Sequence, residues 1–226
     1  MLRKTVGFIT NTIRKYRIRQ QRITMRAVEF CLCRCYEKRL GINTLGFFES
    51  EEKQSFFKDE LPYQAVRYVV IRKILHYFKP GRRDVIMDIG CGKGRIICFF
   101  AAERRMRRAI GIELDKDLYE AAVENINRLK VKKTQINIYH ADAVNFTDIN
   151  DVTIFIIFNP FGEKTLTKVI KNIENSLKVN PRAIHIAYFP TPNLARLFND
   201  TPWLFFKKRL RVMAQSPIFI YGNQKD

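Results

Sequence analysis

The chain has 226 residues, of which 46% are hydrophobic and 12% aromatic, enough to bury the core of one ordinary to large domain and to exclude disorder as the overall state. Lys and Arg number 41 against 22 Asp and Glu, a formal charge of +19, which attracts polyanions such as nucleic acid, anionic lipid headgroups or acidic glycans. The longest uninterrupted apolar run, Ile96 to Ala102, is only seven residues. A membrane-spanning helix needs roughly 18 or more, so no transmembrane span is expected.

The charge is uneven. Residues 1–40 hold 11 basic and 2 acidic side chains (+9), residues 41–150 hold 19 and 15 (+4), and residues 151–226 hold 11 and 5 (+6). In the first forty residues Ile9, Ile13 and Tyr16, then Met25, Val28 and Leu32, recur at helical spacing, which predicts a basic helical arm over 1–40. Arg and Lys recur throughout it and leave no continuous apolar stretch for a secretory signal. The five cysteines are odd in number, and Cys31, Cys33 and Cys35 fan around the helix without a fourth ligand nearby. A reducing, cytoplasmic setting and no metal are expected, with peripheral placement at a membrane surface left open.

Residues 41–83 read as a connecting segment, with an acidic cluster at Glu49–Glu52 and a helix from Tyr63 to Phe78 that Lys79-Pro80-Gly81 ends. From residue 84 to 226 the pattern alternates. Val85–Asp88, Ala109–Glu113, Ile136–His140, Ile154–Phe158 and Ala183–Tyr188 read as strands, with Gly94–Arg107, Lys116–Leu129 and Glu163–Leu177 as helices between them. Such alternation predicts an α/β, Rossmann-like, mostly parallel sheet with helices on both faces. Trp203–Ala214 and Pro217–Tyr221 follow without an intervening helix and read as a C-terminal antiparallel hairpin.

The chemistry concentrates at Asp88-Ile-Gly90-Cys91-Gly92-Lys93-Gly94-Arg95, an apolar strand that ends in an acid and runs through glycines into a helix. In open parallel sheets ligands bind outside the carboxyl ends of the strands, and glycines there let ligand atoms reach the backbone. A dinucleotide fingerprint would need Gly at Arg95, and a P-loop would need Ser or Thr at Gly94. Neither pattern is met. Asp88 would repel a phosphate and favour a ligand with a cationic amine.

This combination resembles motif I of the class I S-adenosylmethionine-dependent methyltransferases, and the resemblance extends from Asp84 to Tyr221. It implies a seven-stranded sheet with a terminal hairpin and S-adenosyl-L-methionine as cofactor. Asp88 would then contact the methionine amino group, with Gly90, Cys91, Gly92 and Gly94 forming the turn against it. Two further acids follow at strand ends. Glu113, 25 residues after Asp88, stands where an acid hydrogen-bonds ribose hydroxyls, with Leu114 beside the adenine. Asp142, with Ala143, ends the third strand, where the family contacts the adenine amino group.

The fourth strand runs into Phe158-Asn159-Pro160-Phe161-Gly162. Asn159-Pro160-Phe161 resembles a shortened form of the Asp/Asn-Pro-Pro-aromatic motif of methyltransferases that act on planar nitrogens. There an Asn oxygen and a proline-flanked carbonyl accept hydrogen bonds from the target nitrogen while the ring packs against the acceptor. A strand-terminating turn with a buried Phe would use the same residues, and one proline fewer sets the motif apart from the base methylases. Lys58-Asp-Glu-Leu-Pro62-Tyr63, Phe158–Gly162 and Asn180-Pro-Arg182 together resemble a bacterial group of methyltransferases without an assigned acceptor. In that setting Tyr63 is either a cap on the cofactor pocket or an ordinary aromatic at a helix start. His140 is read as packing.

The resulting expectation is a methyltransferase acting on a nitrogen of a protein lysine or amide, an RNA or a small metabolite. An anionic partner, RNA or an acidic membrane surface, would dock on the basic arm, and removal of residues 1–40 would spare cofactor binding. The competing reading of the same charge is a non-catalytic nucleic-acid or membrane-surface binding module that keeps the fold.

Overall fold

A computed structural model describes residues 27–45, 47–48, 63–158, 161–189, 194–212 and 217–225. Helix α1 covers 27–40. Two short strands, β1 (Phe47–Phe48) and β2 (Tyr63–Gln64), pair antiparallel ahead of α2 (Tyr68–Phe78). The remainder alternates as β3 (Val85–Ile89), α3 (Arg95–Glu103), β4 (Arg108–Glu113), α4 (Lys116–Arg128), β5 (Ile136–His140), β6 (Ile154–Phe158), α5 (Glu163–Val179) and β7 (His185–Phe189). A short α6 (Ala195–Asn199) precedes β8 (Phe205–Leu210) and β9 (Ile218–Gly222).

The seven long strands form one sheet in the order β5-β4-β3-β6-β7-β9-β8. β3 through β7 are parallel, while β9 runs antiparallel to both β7 and β8. The expected seven-stranded sheet with its C-terminal hairpin is thus observed. β3 and β6, every residue of which is buried except the partly exposed Phe158, lie at the centre and are apolar apart from Asp88, as strands covered on both faces are. From β3 the chain steps outward to β5, then returns to β6 on the other side of β3. That reversal opens a crevice at the carboxyl ends of β3 and β6.

Period-two alternation divides the core. Ile86, Ala109, Ile154 and Ile156 pack with residues of α1, α2 and α3, while Val85, Met87, Ile110, Phe155 and Ile157 pack with those of α5. Asp88, two residues after Ile86, therefore leaves the sheet on the α1–α3 face.

Several boundaries differ from the periodicity for identifiable reasons. α2 begins at Tyr68 because Tyr63 and Gln64 are drawn into pairing with β1. α3 stops at Glu103, short of Arg107, because the Thr134 hydroxyl donates to the Arg104 carbonyl at 2.7 Å and accepts from the Met106 amide at 2.8 Å. Those bonds replace the next helical turn and send the chain into β4. α6 is absent from the sequence reading; its Phe198 is fully buried and stacks between Tyr188 and Tyr221. The link between β8 and β9, residues 213–216, lies outside the described residues.

Residues 1–26 of the expected arm also lie outside the described residues. Residues 27–40 do not behave as a detachable unit. Cys33, Glu37 and Leu40 form a buried stripe at helical spacing, and Tyr36 stacks on Tyr68 at 4.7 Å and meets Phe99 edge-on at 5.6 Å.

Phe155 sits at the middle of this arrangement, 0% exposed and registered between Met87 and Ile186. Phe155→Ala is expected to cost about 3–5 kcal/mol in urea unfolding. Val179→Ala, at a position 72% exposed, should stay within about 0.5 kcal/mol.

Candidate active site

The turn after β3 is held from below. The amides of Gly90 and Cys91 both donate to the Ile112 carbonyl, at 3.0 and 2.9 Å, and the Gly94 amide donates to the Cys91 carbonyl. Gly90, Gly92 and Gly94 have φ of 75°, 53° and 77°, the left-handed region where a side chain is strained. Two of these positions also lack room. A Cβ on Gly92 would lie 2.3 Å from the Tyr63 ring, and one on Gly94 would press on Ala122 of α4 at 3.3 Å. Glycine here lets an aromatic ring and a neighbouring helix touch the backbone.

Asp88 is 1% exposed, and neither carboxyl oxygen has a hydrogen-bond partner among the described residues. Burial pushes its pKa well above the usual carboxylate range, and the nearby Glu113 pushes it further. A buried polar group without a partner is unfavourable unless something outside the protein completes it. The oxygens can accept hydrogen bonds, and the ionised carboxyl would be stabilised by a cation. That is the chemistry the amino end of S-adenosylmethionine offers, so these residues fit the cofactor.

Glu113, at the end of β4 and 9% exposed, is differently placed. Its Oε2 accepts from the Gly92 amide at 2.7 Å, and Oε1 accepts from the amides of Leu114 and Asp115 at 2.9 and 3.0 Å. Burial raises its pKa, while these three amides oppose the shift. A carboxylate offers about four acceptor positions, so roughly one remains for a ligand hydroxyl. Glu113 thus ties the glycine turn to β4 before it does anything else. Leu114 and Asp115 follow it, and Asp115 caps α4 by accepting from the Asp117 and Leu118 amides.

Asp142 and Ala143 lie just beyond β5, both half-buried. Asp142 accepts from the Val144 amide at 2.8 Å and from Asn145 at 3.1 Å, which shapes the loop. His140 stacks on Tyr119, and its Nε2 sits 2.9 Å from the Leu114 carbonyl, the packing role read from the sequence. Asn159 and Pro160 lie outside the described residues. Phe161 is 9% exposed and belongs to the apolar cluster of Ile157 and Leu166. Cys91 is buried, and burial together with Asp88 and Glu113 holds its thiol well above the usual range, so it is an inert wall.

Tyr63 is a cap on the glycine turn rather than a helix-start aromatic. Its ring covers Gly92, Lys93 Nζ lies 5.6 Å from the ring centroid, and its hydroxyl donates to the Thr44 carbonyl at 2.9 Å. Burial raises its pKa and keeps the phenol protonated. The sequence reading missed what lies behind it, the buried Arg95 with Glu37 and Thr44. A signal existed, since Glu29 and Glu37 are the two acids of residues 1–40, and both pair with arginines beyond the arm, Arg67 and Arg95.

Among the described residues there is no cluster of His, Cys, Asp and Glu able to hold a metal, and no helix long and apolar enough to cross a membrane. The strand order, the glycine turn and the acids at the ends of β3, β4 and β5 define the class I methyltransferase architecture. Residues 86–180 match the family model described as a methyltransferase domain. A protein-lysine N-methyltransferase of Saccharolobus islandicus is 28% identical over 120 residues, which are 53% of this chain and 74% of that relative. A release factor glutamine methyltransferase of Buchnera aphidicola is 27% identical over 129 residues, 55% of this chain but only 42% of that relative. Among solved structures, an RNA methyltransferase from Salinibacter ruber in complex with S-adenosyl-L-homocysteine covers 72% of this chain and 95% of its own, with a TM-score of 0.54 and 18% identity. The human methyltransferase 10 domain containing protein covers 87% and 96%, with a TM-score of 0.57 and 14% identity. At these identities the two structures show a shared fold. Together, the domain match over residues 86–180, the two relatives and the shared fold support an S-adenosylmethionine-dependent methyltransferase.

The raised carboxyls have a measurable consequence. Because the folded protein holds a proton on Asp88 more tightly than the unfolded chain does, Asp88's contribution is most favourable below the ordinary carboxylate range and is lost as pH rises through the raised folded value. Denaturant unfolding of the cofactor-free protein should show Asp88→Asn gaining on wild type as pH rises from about 4 to about 8. A stability difference independent of pH would contradict the raised pKa.

Proposed function

We propose that the chain transfers the methyl group of S-adenosylmethionine to a side-chain nitrogen of a protein, a lysine amine being the acceptor best supported. The observation that carries the cofactor half is the buried, unpartnered Asp88 carboxyl beside the glycine turn. The acceptor half rests on the two relatives described above, whose names specify a protein lysine and a release-factor glutamine.

S-adenosylmethionine supplies a methyl group already activated on a sulfonium. The protein's task is therefore placement more than activation. Asp88 takes the cationic amino group, which would hold its carboxyl in the ionised form. The turn of Gly90, Cys91, Gly92 and Gly94 would hold the cofactor along the side that Tyr63, seated on Gly92, leaves open. The free acceptor position on Glu113 Oε2 would take a ribose hydroxyl, and Leu114, Asp142 and Ala143 would hold the adenine. Following β6 in sequence, Asn159 and Pro160 are the residues proposed to accept hydrogen bonds from the acceptor nitrogen. The positive charge of residues 1–40 steers an acidic protein, or an anionic RNA or membrane surface that carries the acceptor.

Two measurements test this. Asp88→Asn and Glu113→Gln should each weaken S-adenosylmethionine binding by about 10- to 100-fold in calorimetry, the size of a lost charge-assisted hydrogen bond or a released turn. In lysate fractions given labelled cofactor, the label should appear on protein and be recovered as methyl-lysine after hydrolysis. Label confined to RNA or small molecules would overturn the acceptor while leaving the cofactor assignment intact.

A further inference from the structure

Arg95 is the first residue of α3, directly after the last glycine of the turn, and only 4% of it is exposed. A cation at a helix N-terminus opposes the helix dipole, and a buried one needs every donor satisfied. Each nitrogen of its guanidinium has a partner. Nε donates to Thr44 Oγ1 at 2.5 Å, one terminal nitrogen to the Val66 carbonyl at 2.8 Å, and the other to Glu37 Oε1 at 3.0 Å. The face of the group lies over the Tyr68 ring at 5.0 Å.

Glu37 and Thr44 are themselves buried, at 6% and 0% exposure. Glu37 Oε1 accepts from both the amide and the hydroxyl of Thr44, and the Glu37 carbonyl accepts from the amides of Gly41 and Ile42. Thr44 then passes the constraint on, because its carbonyl takes the Tyr63 hydroxyl and the Tyr63 ring rests on Gly92. A second tie runs beside it. Asn125 of α4 accepts from the Asn43 amide at 2.7 Å and donates to the carbonyls of Asn43 and Lys93, at 3.1 and 3.0 Å. The segment after α1 is therefore tied to the later half of the glycine turn and to the start of α3.

We infer that Glu37 is a positioning residue for the cofactor turn. By pairing with Arg95 and ordering Thr44, it fixes both the start of α3 and the ring that covers Gly92, so α1 is part of the cofactor site. The inference rests on the assignment of that turn to S-adenosylmethionine. It also replaces the expectation that removing residues 1–40 spares cofactor binding, since that deletion removes Glu37.

The test compares full-length wild type, Glu37→Gln and Glu29→Gln, with folding checked by circular dichroism and thermal unfolding. Glu29→Gln breaks another tie of α1, its ion pair with Arg67 on the approach to α2, which does not include Arg95 or Thr44. Glu37→Gln should raise KM and Kd for S-adenosylmethionine about 10-fold while kcat stays within about 2-fold, and Glu37→Asp should recover part of the affinity. Glu29→Gln should lower the melting temperature without moving KM for the cofactor. A folded Glu37→Gln with wild-type cofactor affinity, or an equal loss in Glu29→Gln, would overturn the inference. If Glu37→Gln does not fold, Tyr63→Phe decides: it removes only the bond to Thr44 and should weaken binding several-fold, and unchanged binding would count against the relay. Failure of wild type itself to bind S-adenosylmethionine would instead remove the cofactor assignment.

Discussion

Keeping the Asp88 carboxyl buried and unpartnered is the constraint on which the rest of this structure depends. The side chain stands near the end of the central strand, which pairs with β4 and β6, where no neighbouring side chain among the described residues relieves it. Removing it from that position would require the sheet to open. The fold holds the group in place through the packing of β3 on both faces, and the cofactor's cation supplies what the protein withholds. Stability and binding are thus set against each other at one residue, a common arrangement where a site must be ready before its ligand arrives.

The glycine turn follows from the same need. For a ligand to reach Asp88 the backbone after β3 must bend away and remain bare, which the left-handed glycines allow. A bare turn is also floppy unless it is tied, and here it is tied on three sides. Ile112 holds it from β4, the Glu113 carboxylate takes the Gly92 amide, and the segment following α1 presses Tyr63 on it from above. The charge of the chain sorts accordingly. Acids gather at the strand ends that face the crevice, and the basic excess is densest in residues 1–40.

The sheet was legible because its causes are local. Buried parallel strands are short apolar runs, their helices show a period near 3.6, and the acids fall at the last or next-to-last positions of β3 and β4 and just past β5. The glycine spacing also separated this turn from phosphate-binding turns. Helix ends were less legible, since the end of α3 depends on Thr134, thirty residues from Arg104. The tie between Glu37 and Arg95 spans 58 residues and follows no period, so no window of sequence contains it. Charge counting singles out Glu29 and Glu37 as the two acids of a basic segment, but it does not say which arginine each one meets. The role of Tyr63 became visible only when the space above Gly92 was found filled by its ring.

The most direct measurement is a carbon-13 titration of the Asp88 side-chain carboxyl in the free protein and in its complex with S-adenosyl-L-homocysteine, which keeps the amino group and lacks the methyl. The carboxyl should titrate well above the ordinary carboxylate range in the free protein and fall in the complex, as a partnered carboxylate does. An Asp88 that titrates at the same pH in both states would show that the ligand's cation is held elsewhere.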